Sequence, residues 1–274
     1  MKLSSRVSRR LVIAIIFLAV FIFSGYGLIK VSQPIATCFD GAQNGQEEGV
    51  DCGFFTCGNY CEPTFEPPQV ISTKLIKAGD KDYDFVAEIA NPHKDFGASE
   101  VTYSLKLFNG DAKELLSRIG TFYLLPNQSR FLVIPYLTTD KDVLNVELKI
   151  ESAKWQKVNS LEGINLIVRN QKYTVDADSG SSLFHFTVLN DTDFDFEVVD
   201  IEVLLLNSKD EIIGVNKSDI RTFIARTERS AQVVWPFPIS GKVSKFKIIA
   251  STNIFENSNF IKRYGSEVEK FQRY

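Results

Sequence analysis

Hydrophobic and polar residues follow two different patterns along the chain. Residues 11–29 form an uncharged apolar run, LVIAIIFLAVFIFSGYGLI, with no polar face. From residue 70 onward, short β-branched and aromatic segments alternate with turn residues, and residues 146–151 and 199–203 alternate strictly between apolar and polar side chains. A period of two is typical of half-buried strands. The pattern predicts a mainly β protein with one N-terminal helix.

The apolar run predicts insertion into a membrane. As a helix it would be about 28 Å long, close to the hydrocarbon thickness of a bilayer. Residues 1–10 carry four basic and no acidic side chains, and no Lys or Arg occurs between Lys30 and Lys74. This asymmetry predicts a cytoplasmic basic segment at 1–10, a single-pass transmembrane helix at 11–29 in the cell membrane and an exoplasmic remainder. A cleavable signal peptide with its apolar core at 11–23 is the alternative, and it also exports the bulk of the chain.

The strand-rich region repeats with a period of about 100 residues. Residues 101–105 align with residues 199–203, and further matches follow in the same order. We therefore predict two similar domains, at 70–158 and 162–255. Each has about 90 residues and about seven short strands, which predicts two tandem immunoglobulin-like β-sandwiches. The remaining segments are a Pro-rich spacer at 62–69 and a polar tail at 256–274.

All four cysteines lie in a short, glycine-rich and acidic segment, residues 38–61. They are Cys38, Cys52, Cys57 and Cys61. A segment this short cannot bury a sufficient core, so covalent or metal staples must order it. Clustered cysteines in an exported chain predict a small disulfide-rich module, with all three pairings open. A structural zinc site made of four thiolates is the alternative.

The acidity of the chain is concentrated in the same region. Residues 31–70 contain six acidic side chains and no basic one. Carboxylate and amide oxygens are the ligands that calcium prefers. We therefore consider a calcium site formed by Asp40, Asn44, Glu47 and Asp51, against the alternative of a solvated acidic loop. No other cofactor is predicted.

The cysteine segment resembles a short motif of secreted and surface proteins. Residues 38–53 read CFDGAQNGQEEGVDCG, and this matches the pattern CxDGxxNGxExGVDCGG over most of its positions. The resemblance implies display at a surface and does not imply an activity.

The β-domains are similar to the FxLYD-like and LEA-type-2-like β-sandwich domains. The resemblance is carried by residues 90–91 and 105–111 and by their counterparts at 189–190 and 203–207. Domains of this kind occur mostly in envelope or stress-related proteins and bring no catalytic residues, and this is what the resemblance implies here.

The net charge and the missing catalytic motifs argue against two classes of function, nucleic-acid binding and catalysis. A net charge of −3 and a pI near 5.6 argue against a nucleic-acid binder. His93 and His185 occupy non-equivalent positions of the repeat, and no nucleophile, metalloprotease or phosphate-loop motif is present. We therefore predict a protein that is not an enzyme. Trp235 and Phe237 are the predicted binding residues, with an ordinary strand bearing an aromatic edge as the alternative.

These observations predict a membrane-anchored, exoplasmic structural or protein-interaction component of the cell envelope. Its expected partners are the membrane, through the N-terminal helix, and another envelope protein. A calcium-dependent adhesin or ligand-binding surface receptor is the alternative.

Overall fold

A computed structural model describes residues 5–31, 37–61, 64–159, 161 and 164–265. Parts of the predicted basic segment, spacer, second domain and tail lie outside the described residues. The chain divides into two compact units, Met1–Thr64 and Phe65–Tyr274.

The described residues form three helices and twelve strands. The helices are α1 (Ser5–Val31), α2 (Phe54–Cys57) and α3 (Ser258–Tyr264). The first six strands are β1 (Gln69–Lys77), β2 (Asp82–Ala90), β3 (Phe96–Phe108), β4 (Glu114–Leu124), β5 (Ser129–Thr138) and β6 (Asn145–Lys157). The last six are β7 (Leu166–Val175), β8 (Ser182–Asn190), β9 (Phe196–Leu206), β10 (Ile212–Phe223), β11 (Glu228–Trp235) and β12 (Lys245–Ser251). The fold is mainly β, as predicted.

The predicted transmembrane helix at 11–29 is not supported. None of the described helices is both long enough and apolar enough to cross a membrane. The apolar run weakens at Ser24, Gly25 and Tyr26, near the end of α1. This finding corrects the transmembrane part of the predicted fold class.

The twelve strands of the second unit form two β-sandwiches with the same strand order. In the first, the sheets are β1-β2-β5 and β4-β3-β6; in the second they are β7-β8-β11 and β10-β9-β12. All pairs of neighbouring strands are antiparallel. The β-sandwich prediction is confirmed, although each described sandwich has six strands rather than about seven.

The two sandwiches also share a turn. In the first, the Asn109 side-chain oxygen accepts hydrogen bonds from the backbone amides of Asp111 and Lys113, at 3.0 and 2.9 Å. In the second, Asn207 accepts from Lys209 and Glu211 at 2.8 and 3.0 Å. An asparagine that caps its own turn fixes the direction in which the next strand departs.

Each sandwich has its own apolar core between its two sheets. Side chains of β2, β3 and β5, including Phe85, Leu105 and Leu132, fill the first. Side chains of β8, β9 and β11, including Phe184 and Ile201, fill the second.

The beginning of the predicted polar tail belongs to the second core. Residues 258–264 form α3, and its Phe260 and Ile261 are buried. Asn257 caps the helix by accepting a hydrogen bond from the Phe260 amide at 2.8 Å.

A third apolar cluster joins the sandwiches to each other. Val86, Phe131 and Val133 come from sheet β1-β2-β5, and Leu204 and Val215 come from sheet β10-β9-β12. These residues point away from the two sandwich cores, so the central strands β2 and β9 are buried on both faces. The second unit is therefore a stack of four β-layers.

Candidate functional site

Residues 37–61, which we call the stapled module, are held by two interleaved disulfides. They join Cys38 to Cys57 and Cys52 to Cys61. The predicted disulfides are confirmed, and the structure decides the pairing that the sequence left open. All four sulfur atoms are bonded to one another in pairs, so no thiolate is available for the alternative zinc site.

The polar side chains of the stapled module organise its backbone. The Asp51 carboxylate accepts hydrogen bonds from the amides of Asp40 and Gly41, at 3.0 and 2.8 Å. Asp40 accepts from the Ala42 amide at 2.9 Å and from the Asn44 side chain at 2.8 Å. Hydrogen bonds from the Thr37 hydroxyl and the Ala42 amide hold the pKa of Asp40 below its ordinary value. These groups replace the apolar core that so short a segment lacks.

The four residues predicted to bind calcium are thus used for folding. Asn44 accepts from the Thr37 amide at 2.9 Å, and the buried Glu47 accepts from the Asn44 amide at 3.1 Å. Among the described residues, Asp40, Glu47 and Asp51 do not form a group at metal-binding distances. Cys38, Glu47 and Cys57 do lie close together, but those two sulfurs are bonded to each other. The calcium site stays a prediction without a formed set of ligands.

Aromatic side chains cover the outside of the stapled module. Phe55 and Tyr60 are 93 % and 76 % exposed. The Phe54 ring stacks on Tyr60 with centroids 4.8 Å apart and meets Phe55 edge-on at 5.5 Å. We call Phe54, Phe55 and Tyr60 the aromatic cluster. Phe54 and Phe55 lie in α2, which follows Gly53 and ends at Gly58, where the backbone is left-handed (φ 73°), and Tyr60 follows that end.

Trp235 and Phe237 do not form the exposed surface that the sequence suggests. The Trp235 indole is buried and donates a hydrogen bond to the Val215 carbonyl at 3.0 Å. Phe237 is half-buried and lies beside Gly79 of the first sandwich. Trp235 therefore packs in the core of the second sandwich, and Phe237 lies against the first sandwich. The strand that carries Trp235 pairs with β8 and turns the indole inward, because Trp235 shares its face with Val233.

A cleft of about 370 Å³ lies between the two sandwiches. Strands β3, β4 and β5 of the first sandwich and β9 and β10 of the second line it. Arg130 at its wall is almost fully buried and binds Glu202 through Nη2 and Nε, at 2.7 and 3.1 Å. The same guanidinium reaches Asp200 at 3.0 Å and covers the Tyr123 ring at 4.0 Å.

Burial dominates the electrostatics of this ion pair. Burial raises the pKa of Glu202, and the attraction of Arg130 opposes the rise only in part. The Arg130 guanidinium stays charged because the surrounding acidic groups outweigh its own desolvation. The sequence pattern did not single out Arg130, Asp200 or Glu202 as site residues. Their one signal is that Asp200, Glu202 and Leu204 alternate on β9, which puts two acids on the face that packs against the other sandwich.

The two histidines have no shared site. His93 packs its ring edge against Trp155, with centroids 4.6 Å apart, and its Nε2 lies 3.0 Å from the Glu66 carbonyl. His185 is exposed on β8. His93 therefore ties the start of the second unit to the first sandwich.

Comparisons with known proteins do not assign a family. No protein-family model and no curated protein matches the chain. Red sea bream transglutaminase is similar over 73% of this chain and 30% of its own, with 12% identity and a TM-score of 0.24. The calcium-binding domain CBD12 of CALX1.1 is similar over 66% of this chain and 79% of its own, with 12% identity and a TM-score of 0.20. Exo-chitosanase CsxA of Amycolatopsis orientalis is similar over 63% of this chain and 26% of its own, with 11% identity and a TM-score of 0.16. Similarities this distant carry no functional argument.

Proposed function

We propose that this protein is a non-enzymatic interaction component that works outside the cytoplasm, and that its aromatic cluster binds a partner protein of the cell envelope. The observation that carries the proposal is the exposure of Phe55 and Tyr60 on the surface of the stapled module. Disulfides and polar turns already hold residues 37–61 together, so the aromatic side chains are free to contact another molecule.

The disulfides support a location outside the cytoplasm. Two disulfides within 25 residues persist only where thiols are oxidised, as in the periplasm or outside the cell. Without them the stapled module has no described apolar core to keep it folded. Export is therefore part of the proposal, with no membrane anchor included.

The partner is defined by the chemistry around the aromatic cluster. Exposed Phe and Tyr side chains are enriched at protein interfaces, where they bury a large area with few rotatable bonds. The stapled module also carries four acidic side chains and no Lys or Arg. A second stapled module or an anionic lipid surface would be repelled by this charge. We propose a partner with an apolar pocket surrounded by Lys and Arg.

The experiment is affinity capture with the full-length oxidised protein, followed by titration of the captured partner. We expect F55A/Y60A to weaken binding at least tenfold, and we expect binding to fall between 50 and 500 mM salt. Ile119→Ala is the matched control, because Ile119 is a similarly exposed apolar residue of the second unit, 74 % exposed. Equal binding by F55A/Y60A and the parent, or a loss confined to Ile119→Ala, would refute the proposal.

The alternative of a calcium-dependent adhesin is not favoured by any geometry in the described residues. The acidic oxygens that would bind calcium accept hydrogen bonds from the module's own backbone and side-chain donors.

A further inference from the structure

Three asparagines of the chain occur in the acceptor pattern for N-linked glycosylation, Asn-x-Ser/Thr. The pattern occupies residues 127–129 (Asn-Gln-Ser), 190–192 (Asn-Asp-Thr) and 216–218 (Asn-Lys-Ser). The sequence alone does not distinguish between these three positions. A glycan is bulky and hydrophilic, so a folded protein can carry one only on an asparagine whose side-chain nitrogen faces solvent.

Asn190 cannot carry a glycan in the folded protein. It is fully buried, and its Nδ2 donates to three backbone carbonyls at 2.8, 3.2 and 3.2 Å. Thr192, which completes the pattern, is buried as well, and its hydroxyl donates to Asn190 Oδ1 at 2.6 Å. A sugar on Nδ2 would replace a hydrogen that these bonds use and would not fit in the closed loop.

Asn216 is excluded for the same reason. It is buried at the junction of the sandwiches, and its Nδ2 donates to the Tyr136 hydroxyl and to the Val234 carbonyl, both at 2.8 Å. An amide nitrogen has two hydrogens, and both are used here. Attachment of a sugar would break at least one of these bonds and would separate β10 from its neighbours.

Asn127 differs from the other two in its exposure. It is the third residue of the turn at residues 125–128, it has a left-handed backbone (φ 53°), and it is exposed. Asparagine and glycine are favoured at this position of a turn, and proline, here Pro126, is common just before it. Among the described residues, no hydrogen bond or ion pair uses the Asn127 side chain.

The turn is held together by other groups. The Gln128 amide donates to the Leu125 carbonyl at 3.3 Å, and the Leu125 amide donates to the Gln128 side chain at 2.9 Å. The backbone amide of Asn127 donates to the His93 carbonyl at 2.8 Å. Ser129, which completes the pattern, is also exposed. A modified Asn127 would therefore leave every bond of this turn intact.

We infer that Asn127 is the acceptor of an N-linked glycan and that Asn190 and Asn216 are not. In the transfer, Asn127 Nδ2 forms a bond to the anomeric carbon of a sugar carried on a lipid pyrophosphate, and the bond from that carbon to the phosphate oxygen breaks. The lipid pyrophosphate leaves with the bonding electrons, and Nδ2 gives up one proton. Such acceptors belong to exported proteins, so the inference rests on the export in the proposed function.

The test is expression of the full-length protein in a eukaryotic cell line that glycosylates its exported proteins. Free thiols are first alkylated, and the purified, folded protein is then treated with peptide-N-glycosidase in heavy-oxygen water, which labels each formerly glycosylated asparagine. We expect peptide mass spectrometry to find at least tenfold higher occupancy at Asn127 than at Asn190 or Asn216.

Variants show that the acceptor pattern itself is used. We expect Asn127→Gln and Ser129→Ala each to abolish the modification, and we expect Asn145→Gln, at an exposed asparagine outside any such pattern, to leave it unchanged. Ser129→Ala keeps the asparagine in its turn, so it remains informative if Asn127→Gln destabilises the left-handed position.

The thiol measurement separates this inference from the proposed function. Oxidised cysteines together with an unmodified Asn127 would overturn the inference and leave the exported protein as proposed. Reduced cysteines and an unmodified Asn127 would contradict export, and the inference would fall with it. A glycan on Asn190 or Asn216 of the folded protein, or one that survives Ser129→Ala, would also overturn the inference.

Discussion

Burial of the Asp84 carboxylate lowers the stability of the folded protein at neutral pH. It is buried, and its Oδ1 accepts a hydrogen bond from the Tyr136 amide at 3.0 Å. Burial raises the pKa of Asp84 to about 6; the Tyr136 bond opposes the rise, and the nearby charge of Asp82 adds to it. Tyr136 has a left-handed backbone (φ 60°), and its hydroxyl lies 2.8 Å from the Asn216 side chain in the other sandwich. Asp84 therefore supports an unusual backbone conformation at the junction of the sandwiches.

The first prediction concerns the pH dependence of stability. Because the folded-state pKa of Asp84 is higher than the unfolded value, its contribution to stability is present below about pH 4 and is lost as the pH rises through about 6. Asp84→Asn keeps the acceptor for the Tyr136 amide and removes the charge. We expect it to stabilise the protein by about 1 to 2 kcal/mol at pH 7.5, after allowing for solvent screening, and by almost nothing at pH 4.

Urea unfolding at the two pH values measures this difference. Asp111→Asn, at an exposed turn acid, is the control and should change stability equally at both pH values. A gain for Asp84→Asn that is the same at pH 4 and pH 7.5 would contradict the prediction.

At the scale of the structural element, the asparagines at the C-terminal ends of β2 and β8, Asn91 just after β2 and Asn190 as the last residue of β8, hold the loops of each sandwich. Asn190 is fully buried, and its Nδ2 donates to the carbonyls of Phe194, Phe223 and Ile224 at 2.8, 3.2 and 3.2 Å. Asn91, at the corresponding position, donates to the carbonyls of Phe96, at the start of β3, and Leu125, at 2.8 and 2.9 Å. One amide thus satisfies several carbonyls that the strands leave unpaired.

The second prediction tests this role. Asn190→Ala leaves buried carbonyls without donors, and we expect a loss of about 2 to 4 kcal/mol in the free energy of unfolding. Asn190→Asp should be at least as damaging, because it directs a carboxylate at three carbonyl oxygens. Asn145→Ala, at the exposed start of β6, should cost less than 1 kcal/mol. Chemical denaturation measures all three, and similar losses for Asn190→Ala and Asn145→Ala would disprove this role.

At the scale of the whole second unit, the contact between the sandwiches determines whether two domains behave as one. Leu204 and Val215 are fully buried in the cluster between the sandwiches, and the Arg130–Glu202 pair lies in the same contact. An interface that combines apolar packing with a buried ion pair couples the stabilities of its two sides.

The third prediction uses the two tryptophans as reporters. Trp155 lies in β6 of the first sandwich and Trp235 in β11 of the second. In Trp155→Phe and Trp235→Phe backgrounds, fluorescence therefore follows one sandwich at a time. We expect these two single-tryptophan proteins to have the same urea midpoint. We expect their midpoints to differ once Leu204→Asp is added to each, because it places a charge between the sandwiches.

Leu144→Asp is the control, because Leu144 is 75% exposed and lies in a loop. It should leave the two midpoints equal. Different midpoints in the parent, or equal midpoints with Leu204→Asp, would show that the interface does not couple the sandwiches.

Features that depend on neighbouring residues could be predicted from the sequence, and features that depend on distant residues could not. The alternation in residues 146–151 predicts a half-buried strand, and β6 has this pattern of burial, because side-chain period is a local property. Trp235 has the same local signals as an exposed aromatic and is buried instead. Its environment depends on residues distant in the chain, among them Val215, which accepts its hydrogen bond.

The sequence by itself determined that the protein is mainly β and that its acidity is concentrated beside its cysteines, because composition and short-range periodicity carry that information; it favoured disulfides and left zinc as the alternative. The tertiary structure alone decided the disulfide pairing, the exposure of the aromatic cluster, the stacking of the two sandwiches and the placement of Arg130 beside Glu202. Each of these depends on which distant residues meet. Residues 130 and 202 come together only because β5 and β9 belong to the two sheets that face each other.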